Sequence, residues 1–170
     1  MTVQIINKAM APERCLEIRD KYRDALIPSE QRPGYFEANA REWPEVLTAT
    51  ALARIEIEKH YDVIINEFDV TLVRLEEGAF NGLHSDMYTL DGSYDPNDEG
   101  KDLRQYSALI YLSEYGTDFT GGELVFPQHD IKFAPHIGDL VFFIGDLEHT
   151  HKVRHILSGE RYAIVMFFGT

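Results

Sequence analysis

Two short segments of the sequence carry side chains that could bind a metal ion together. The first contains His84 and Asp86, and the second, about 65 residues later, contains His151. Two imidazoles and one carboxylate can bind a divalent metal on one face and leave the opposite positions open for other ligands. These ligand types suit Fe(II), so the sequence predicts a metal centre with open coordination positions built from these three side chains.

The spacing of the candidate ligands is informative for two of them and ambiguous for the third. His84 and Asp86 are two positions apart, which would place both side chains on the same side of an extended strand. A lone His-x-Asp tripeptide is weak evidence for a metal site, because it arises by chance in many proteins. His149 and His155 flank His151, and each of the three could be a surface or hydrogen-bonding histidine. The residues that follow favour His151 as the third ligand.

Arg161 lies ten positions after His151, at the start of the apolar segment 162–168. An arginine beside so apolar a strand is unfavourable unless an anion pairs with it. The planar guanidinium binds carboxylates through two parallel hydrogen bonds. We therefore expect Arg161 to bind the carboxylate of a ligand. The alternative is an exposed arginine at the point where the strand begins.

The composition limits the classes of partner and the cellular setting. The chain has 170 residues, 44% of them hydrophobic, which suits one domain with a substantial core. Its 16 basic and 29 acidic residues give a formal net charge of −13, which disfavours nucleic acids and anionic membranes as partners. Cys15 is the only cysteine, and there is no signal-peptide pattern and no apolar run of about 20 residues. We expect a soluble, cytoplasmic protein in which Cys15 is a buried structural thiol.

The spacing of apolar residues changes near residue 63. Before this point it predicts two helices, at 11–26 and 43–60, joined by a loop that contains Pro and Gly. After it, short runs of Val, Ile, Phe, Tyr and Leu alternate with turn residues and predict eight strands. The strands are predicted near 69–75, 79–87, 104–112, 122–126, 130–134, 139–144, 149–154 and 161–168. This order of elements predicts a mainly β sandwich or barrel with the helices packed on one outer face.

Residues 88–103 differ in character from the strands on either side. Gly92, Pro96 and Gly100 interrupt regular structure in this segment. Its acidic residues are Asp91, Asp95, Asp98, Glu99 and Asp102. One interpretation is a solvated loop. The other is a flexible lid over the metal site whose charge attracts a cationic substrate.

Several segments, taken in order, resemble the prolyl 4-hydroxylase-like family of Fe(II)/2-oxoglutarate dioxygenases. They are VRLEEG at 73–78, HSD at 84–86, RQYSALIYL at 104–112, GGELVFP at 121–127, APHIGDLVFF at 134–143 and the run 151–161. The resemblance extends from about residue 63 to the C-terminus. The combined order and spacing is more specific than any single motif.

The resemblance implies a fold and a reaction. The fold is a double-stranded β-helix (a cupin-like jelly roll) in a single domain at 1–170, with a core at 63–170 and helical support at 1–62. The reaction is the hydroxylation of an unactivated C–H bond by Fe(II), 2-oxoglutarate and O₂, with ascorbate as a supporting reductant and with release of succinate and CO₂. The substrate implied is a prolyl residue, a free amino acid or a related small molecule.

The resemblance also implies roles for five residues. His84, Asp86 and His151 would be the ligands of Fe(II), and Arg161 would bind the distal carboxylate of 2-oxoglutarate. Tyr111 matches a tyrosine that helps to hold the same carboxylate in some members of the family. A core aromatic on a central strand is the equal alternative for Tyr111.

Two departures from the family pattern leave questions open. Leu75 stands where many members have a tyrosine that helps to orient co-substrate or substrate, and both His149 and His151 occur where members usually have one histidine.

Two other classes of function also remain. One is a cupin-like hydrolase or isomerase that uses the same ligands with Zn(II) or Mn(II), and the other is a non-catalytic oxygen or ligand sensor on the same fold. The sequence leaves open the substrate, the carbon attacked and the oligomeric state.

Overall fold

The computed structural model describes residues 2–93 and 101–170. Within these ranges the chain forms two α-helices and twelve β-strands. The helices are α1 (Pro12–Tyr22) and α2 (Pro44–Tyr61). The strands are β1 (Gln4–Ile6), β2 (Ile27–Pro28), β3 (Tyr35–Asn39), β4 (Glu67–Glu76), β5 (Asn81–His84), β6 (Tyr106–Tyr111), β7 (Phe119–Gly121), β8 (Leu124–Phe126), β9 (Ile131–Phe133), β10 (Leu140–Ile144), β11 (His151–Val153) and β12 (Ile156–Gly169).

The two helices begin at prolines and form one layer of the molecule. Proline suits the first turn of a helix, because the backbone N–H that it lacks would have no partner there. The first helix ends at Tyr22, earlier than predicted, and a 3₁₀ turn follows it. The ring of Tyr22 stacks on Trp43, just before α2, with 4.1 Å between ring centroids. This contact holds the end of α1 against the start of α2.

A large antiparallel sheet lies beneath the helices. Its strand order is β1-β10-β6-β12-β4-β3-β2, and β7 pairs with the first part of β12. The outer face of this sheet packs on α1 and α2 in one apolar cluster that includes Ile18, Ile57, Leu72, Ile110 and Ile164. The predicted arrangement, with both helices on one outer face, is confirmed.

A smaller sheet with the order β5-β11-β8-β9 covers the inner face of the large sheet. A second apolar cluster fills the space between the two sheets. It includes Leu109, Tyr111 and Phe143 from the large sheet and Phe126 and Val153 from the small one. The predicted mainly β, two-sheet architecture is therefore confirmed.

The structure corrects the sequence prediction in the N-terminal third. The segment between the helices was predicted to be a loop, but it contains β2 and β3, and β1 extends the opposite edge of the large sheet. The prolines and the glycine around β3 indicated a loop, yet the edge of β4 offers unpaired backbone groups that β3 satisfies. These three strands therefore extend the large sheet at both edges.

The sequence predicts that α2 buries an apolar stripe against the sheet, and this prediction is partly wrong. The predicted stripe contains Val46, Leu47, Ala51, Leu52, Ile55 and Ile57. Ala51 and Ile55 are exposed, whereas Ala49, Thr50 and Ala53 face the sheet. Small side chains let the helix approach the sheet closely, and the Thr50 hydroxyl donates a hydrogen bond to the carbonyl of Val46 at 2.9 Å.

No helix in the described ranges has the length and apolarity needed to cross a membrane.

Candidate active site

His84, Asp86 and His151 come together at one end of the space between the sheets. The candidate ligand atoms of the three residues all lie within 4.8 Å of one another. Asp86 Oδ1 lies 3.5 Å from His84 Nε2, and Asp86 Oδ2 lies 3.8 Å from His151 Nε2. Two imidazole nitrogens and a carboxylate oxygen around one small space form a donor set that fits a divalent metal ion such as Fe(II).

The route by which these residues converge differs from the prediction. β5 ends at His84, and Asp86 lies beyond it in a bend, so strand alternation does not align the two side chains. Instead, His84 and His151 are directly paired across β5 and β11, and their ring centroids are 4.3 Å apart. The bend then turns the carboxylate of Asp86 back toward both rings.

Backbone carbonyls orient the two imidazoles. The Nδ1–H of His84 donates to the carbonyl of Gly82 at 2.7 Å, and the Nδ1–H of His151 donates to the carbonyl of His149 at 3.0 Å. Because a carbonyl can only accept, the proton of each neutral ring lies on Nδ1 and the lone pair on Nε2. Both lone pairs therefore face the Asp86 carboxylate, as metal-binding histidines require.

Asp86 is held in its charged form in spite of its burial. Burial alone would raise the pKa of this carboxyl group, but His151 and His84 in their protonated forms and a hydrogen bond from Ser107 outweigh it and lower the pKa to about 2. The Ser107 hydroxyl donates to Asp86 Oδ2 at 2.6 Å. Burial dominates at His151 and lowers its pKa, whereas the carboxylate outweighs burial at His84 and raises its pKa. The site therefore presents an anionic ligand beside two histidines.

The other two candidate histidines lie outside this cluster. The sequence predicted a strand at 149–154 that would contain both His149 and His151, but His149 lies in a 3₁₀ turn. Its Nδ1 lies 2.6 Å from the carboxylate of Asp146. Its ring stacks on His129 with 4.8 Å between centroids. His155 stacks on the ring of Phe80 at 4.3 Å. Of the three histidines that the sequence left ambiguous, the structure brings only His151 to His84 and Asp86.

Arg161 lies within β12, not at the start of a strand, and its side chain is 1% exposed. One terminal nitrogen, Nη2, donates a long hydrogen bond of 3.4 Å to the hydroxyl of Tyr111, which is itself fully buried. The Nε–H of Arg161 has no hydrogen-bond partner among the residues that the structure describes. A buried guanidinium with an unused donor is unfavourable on its own, so this position fits the carboxylate of a bound ligand.

Two consecutive glycines allow the chain to pass close to Arg161. Gly121 and Gly122 have φ values of 71° and 65°, a region that favours glycine. A Cβ on Gly121 would collide with the carbonyl of His155, and one on Gly122 would stand 3.0 Å from the Cδ of Arg161. The two glycines therefore have a structural role beside Arg161.

One cavity of about 380 Å³ connects the ligand cluster with Arg161. Leu75 lines it, where the family pattern has a tyrosine, and Leu75 is paired directly with Tyr35 of β3 on one side and with Arg161 on the other. Tyr35 also lines the cavity, and burial raises the pKa of its phenol although Arg32 and Arg161 act against this. The cavity therefore contains the phenol of Tyr35 on the strand next to position 75, where the family pattern has a tyrosine.

The sequence did not identify Tyr35 or Ser107 as site residues. Tyr35 lies in the segment predicted to be a loop, and nothing local to it indicated a position beside Arg161. Ser107 occupies an inward-facing position of the predicted strand 104–112, and that alternation was the available signal. Of the predicted lid, residues 94–100 lie outside the described residues, and with them Asp95, Asp98 and Glu99.

The chain resembles known proteins over part of its sequence. Curated relatives match part of the chain, among them the 2-oxoglutarate and iron-dependent oxygenase domain-containing protein 3 of Rattus norvegicus, with 40% identity over 65 residues. This match covers 37% of the chain and 21% of the relative. Prolyl 3-hydroxylase 2 of Gallus gallus is 35% identical over 71 residues, which are 39% of the chain and 10% of that protein. The chain therefore corresponds to a minor part of these longer relatives.

The fold resembles that of solved prolyl hydroxylases over almost the whole chain. The viral collagen prolyl hydroxylase of Paramecium Bursaria Chlorella virus-1 has a TM-score of 0.77 and 18% identity, with 100% of this chain and 97% of that chain covered. A prolyl-4-hydroxylase of Pseudomonas putida has a TM-score of 0.75 and 21% identity, with 98% and 91% covered. A prolyl hydroxylase of Trichoplax adhaerens in complex with a hypoxia inducible factor peptide fragment has a TM-score of 0.75 and 17% identity, with 98% and 83% covered.

The family model of the 2OG-Fe(II) oxygenase superfamily matches residues 70–169, well over half of the chain. This range contains the ligand cluster, Tyr111 and Arg161. The chain therefore belongs to the 2OG-Fe(II) oxygenase superfamily and has a prolyl hydroxylase-like fold.

Proposed function

We propose that the chain is an Fe(II)- and 2-oxoglutarate-dependent dioxygenase that hydroxylates an unactivated C–H bond. In this proposal, His84 and His151 bind the iron through Nε2, Asp86 binds it through its carboxylate, and Arg161 with Tyr111 binds the distal carboxylate of 2-oxoglutarate. When bound, iron and 2-oxoglutarate supply the oxidative chemistry, in which O₂ is consumed, a substrate carbon is hydroxylated, and succinate and CO₂ are released.

The observation that carries the proposal is the buried guanidinium of Arg161 in the same cavity as the ligand cluster. Its unused Nε–H and its long bond to Tyr111 leave donors for a carboxylate. A cupin-like hydrolase or isomerase would need the metal ligands but no carboxylate anchor. The pairing of both features in one cavity therefore supports the oxygenase over this alternative.

The chain's own residues position the reactants and exclude water. The Ser107 hydroxyl holds one oxygen of Asp86, which favours binding of the metal through the other oxygen. The two backbone carbonyls fix the imidazoles before the metal arrives, so little reorganisation accompanies binding. Tyr111 is fully buried beside Arg161, and this dry setting strengthens the pairing of the guanidinium with a carboxylate.

The substrate that we propose is a prolyl residue, a free amino acid or a related small molecule. The names of the relatives, which include prolyl hydroxylases that act on collagen or bind a peptide, support a prolyl substrate. We also propose that residues 1–170 act as one domain in a reducing, cytoplasmic setting. The lone cysteine, which precludes an internal disulfide, supports this setting.

The test is the formation of succinate from 2-oxoglutarate with Fe(II), ascorbate and O₂. We expect succinate to form with the wild-type protein and not with His84→Ala, Asp86→Ala or His151→Ala. A hydrolase would leave 2-oxoglutarate unchanged, and a non-catalytic sensor would bind it without producing succinate. Absence of succinate from a folded, Fe(II)-loaded protein would therefore refute the proposal. A screen of amino acids and prolyl peptides for the added mass of one oxygen atom then identifies the substrate.

A further inference from the structure

The cavity extends beyond the candidate ligands along the inner face of the large sheet. Alternate residues of β4 line it, namely Asp69, Thr71, Val73 and Leu75. Leu75 is paired with Arg161, whereas Asp69 is six residues away at the other end of the strand, a distance of about 20 Å. Asp69 is therefore remote from the residues that would bind 2-oxoglutarate.

Asp69 lies on the side of the cavity that contains the candidate metal ligands. It is paired with Phe167 of β12, and Phe167 is paired with Ser107 of β6. Two strand spacings separate Asp69 from Ser107, or about 10 Å. Since the Ser107 hydroxyl contacts Asp86, Asp69 faces the space in which a substrate would approach the metal.

The carboxylate of Asp69 is half-buried and forms no ion pair with a cation of the described residues. Its hydrogen bond comes from the adjacent Val70 N–H at 3.0 Å, and no described cation lies within ion-pair distance. Two other acids line the cavity: Asp86 belongs to the candidate ligand cluster, and Glu37 is paired with Arg32 at 3.3 Å. Arg104 also lines the cavity, with its guanidinium carbon 4.9 Å from the Phe167 ring centroid.

A partly dehydrated carboxylate beside apolar surface is unfavourable until a cation pairs with it. Phe167 and Val165, both partly buried, form the apolar floor next to Asp69. A Lys- or Arg-like group offers an aliphatic stem for such a floor and a cation for the carboxylate, and an aromatic ring also attracts cations. The net charge of −13 favours the approach of cationic molecules.

We propose that the substrate carries an ammonium or guanidinium group that binds to Asp69 while its aliphatic stem packs on Phe167 and Val165. The substrate class is therefore a basic amino acid or a basic peptide. This inference rests on the proposed oxygenase function, because it assigns the substrate of the same cavity.

The experiment compares pairs of compounds that differ only in charge. The probes are lysine against norleucine and arginine against citrulline, each as the free amino acid and as the neighbour of proline in a capped tripeptide. Succinate formation above the rate without added substrate is measured with the Fe(II)-loaded protein. We expect the cationic member of at least one pair to be preferred by about 10- to 150-fold in kcat/KM.

Asp69→Asn should abolish this preference, because the amide keeps the size of the side chain and removes its charge. The matched control is Glu67→Gln, the same change at an exposed position two residues away in β4 and outside the cavity. Glu67→Gln should keep the preference. The affinity for 2-oxoglutarate should not change in Asp69→Asn, because about 20 Å separates Asp69 from the level of Arg161 in the sheet.

Three results would overturn the assignment of Asp69. The first is equal use of the charged and neutral probes, and the second is a preference for the charged probe that survives in Asp69→Asn. The third is that no cationic probe stimulates succinate formation, although 2-oxoglutarate is still turned over without added substrate. If 2-oxoglutarate is not turned over at all, the proposed function fails instead. Saturation-transfer NMR of lysine and arginine with wild-type and Asp69→Asn protein then decides separately whether Asp69 binds the cation.

Discussion

Arg161→Ala should weaken the binding of 2-oxoglutarate strongly and leave metal binding intact. The side chain is 1% exposed, so water cannot readily take the place of the lost guanidinium, and the carboxylate of the ligand would remain buried without a partner. Deleting one partner of such a buried pair costs roughly 2–5 kcal/mol, or about 30- to several-thousand-fold in affinity. Isothermal titration of 2-oxoglutarate into the Mn(II)-loaded protein under anaerobic conditions measures this change directly.

Two further variants make the assay specific. Arg161→Lys should give an intermediate loss, because lysine keeps the charge but not the planar pair of donors. Arg154→Ala removes an arginine that is about half exposed and lies outside the ligand cavity, so it should leave the affinity unchanged. If Arg161→Ala binds 2-oxoglutarate as tightly as the wild type while remaining folded, Arg161 is not the anchor and the argument from its unused donor is wrong.

Three other predictions concern the ligands, their support and the lone cysteine. His151→Ala should abolish turnover, while His149→Ala should leave measurable succinate formation. The reason is that the His149 ring pairs with an aspartate away from the cluster, and only the backbone carbonyl of His149 orients His151. The reverse result would show that the ligand is misassigned. Ser107→Ala should weaken metal binding about 10- to 100-fold in a competition assay with a fluorescent chelator, because Asp86 loses its hydroxyl donor. An unchanged affinity for the metal would show that this hydrogen bond is irrelevant to metal binding. Burial raises the pKa of Cys15 to about 12, so at about pH 8 only about one thiol in 10,000 is ionised. A disulfide reagent should therefore label the native protein far more slowly than the denatured protein. Equal labelling rates would mean that the thiol is accessible.

The sequence predicted the parts of the candidate site that belong to short motifs, although the strand alternation expected for His84 and Asp86 was wrong. The order of segments from 73 to 161 identified the three candidate ligands and Arg161, and alternation of apolar residues predicted most strands of the two sheets. These features are visible in a sequence because a strand face and a short motif involve residues that are close along the chain. The contact of His84 with His151, by contrast, results from pairing between strands that are far apart in sequence.

The residues that the sequence analysis missed depend on tertiary contacts. Tyr35 is a site residue only because β3 pairs with β4, and the Pro and Gly around β3 indicated a loop. Asp69 is distinctive because it lines the cavity without an ion pair to a described cation, which a sequence cannot reveal. The buried face of α2 was mispredicted because small residues and Thr50, not the larger Ile55, face the sheet.

The central claim is that this cavity couples the oxidation of 2-oxoglutarate to the hydroxylation of a C–H bond. The most direct measurement is turnover with O₂ labelled with heavy oxygen, followed by mass spectrometry of the succinate and of the oxidised substrate. We predict one labelled oxygen atom in each succinate and one in the hydroxyl group of the product, with both signals lost in Asp86→Ala. Unlabelled succinate, or product formation that does not require 2-oxoglutarate, would contradict the account.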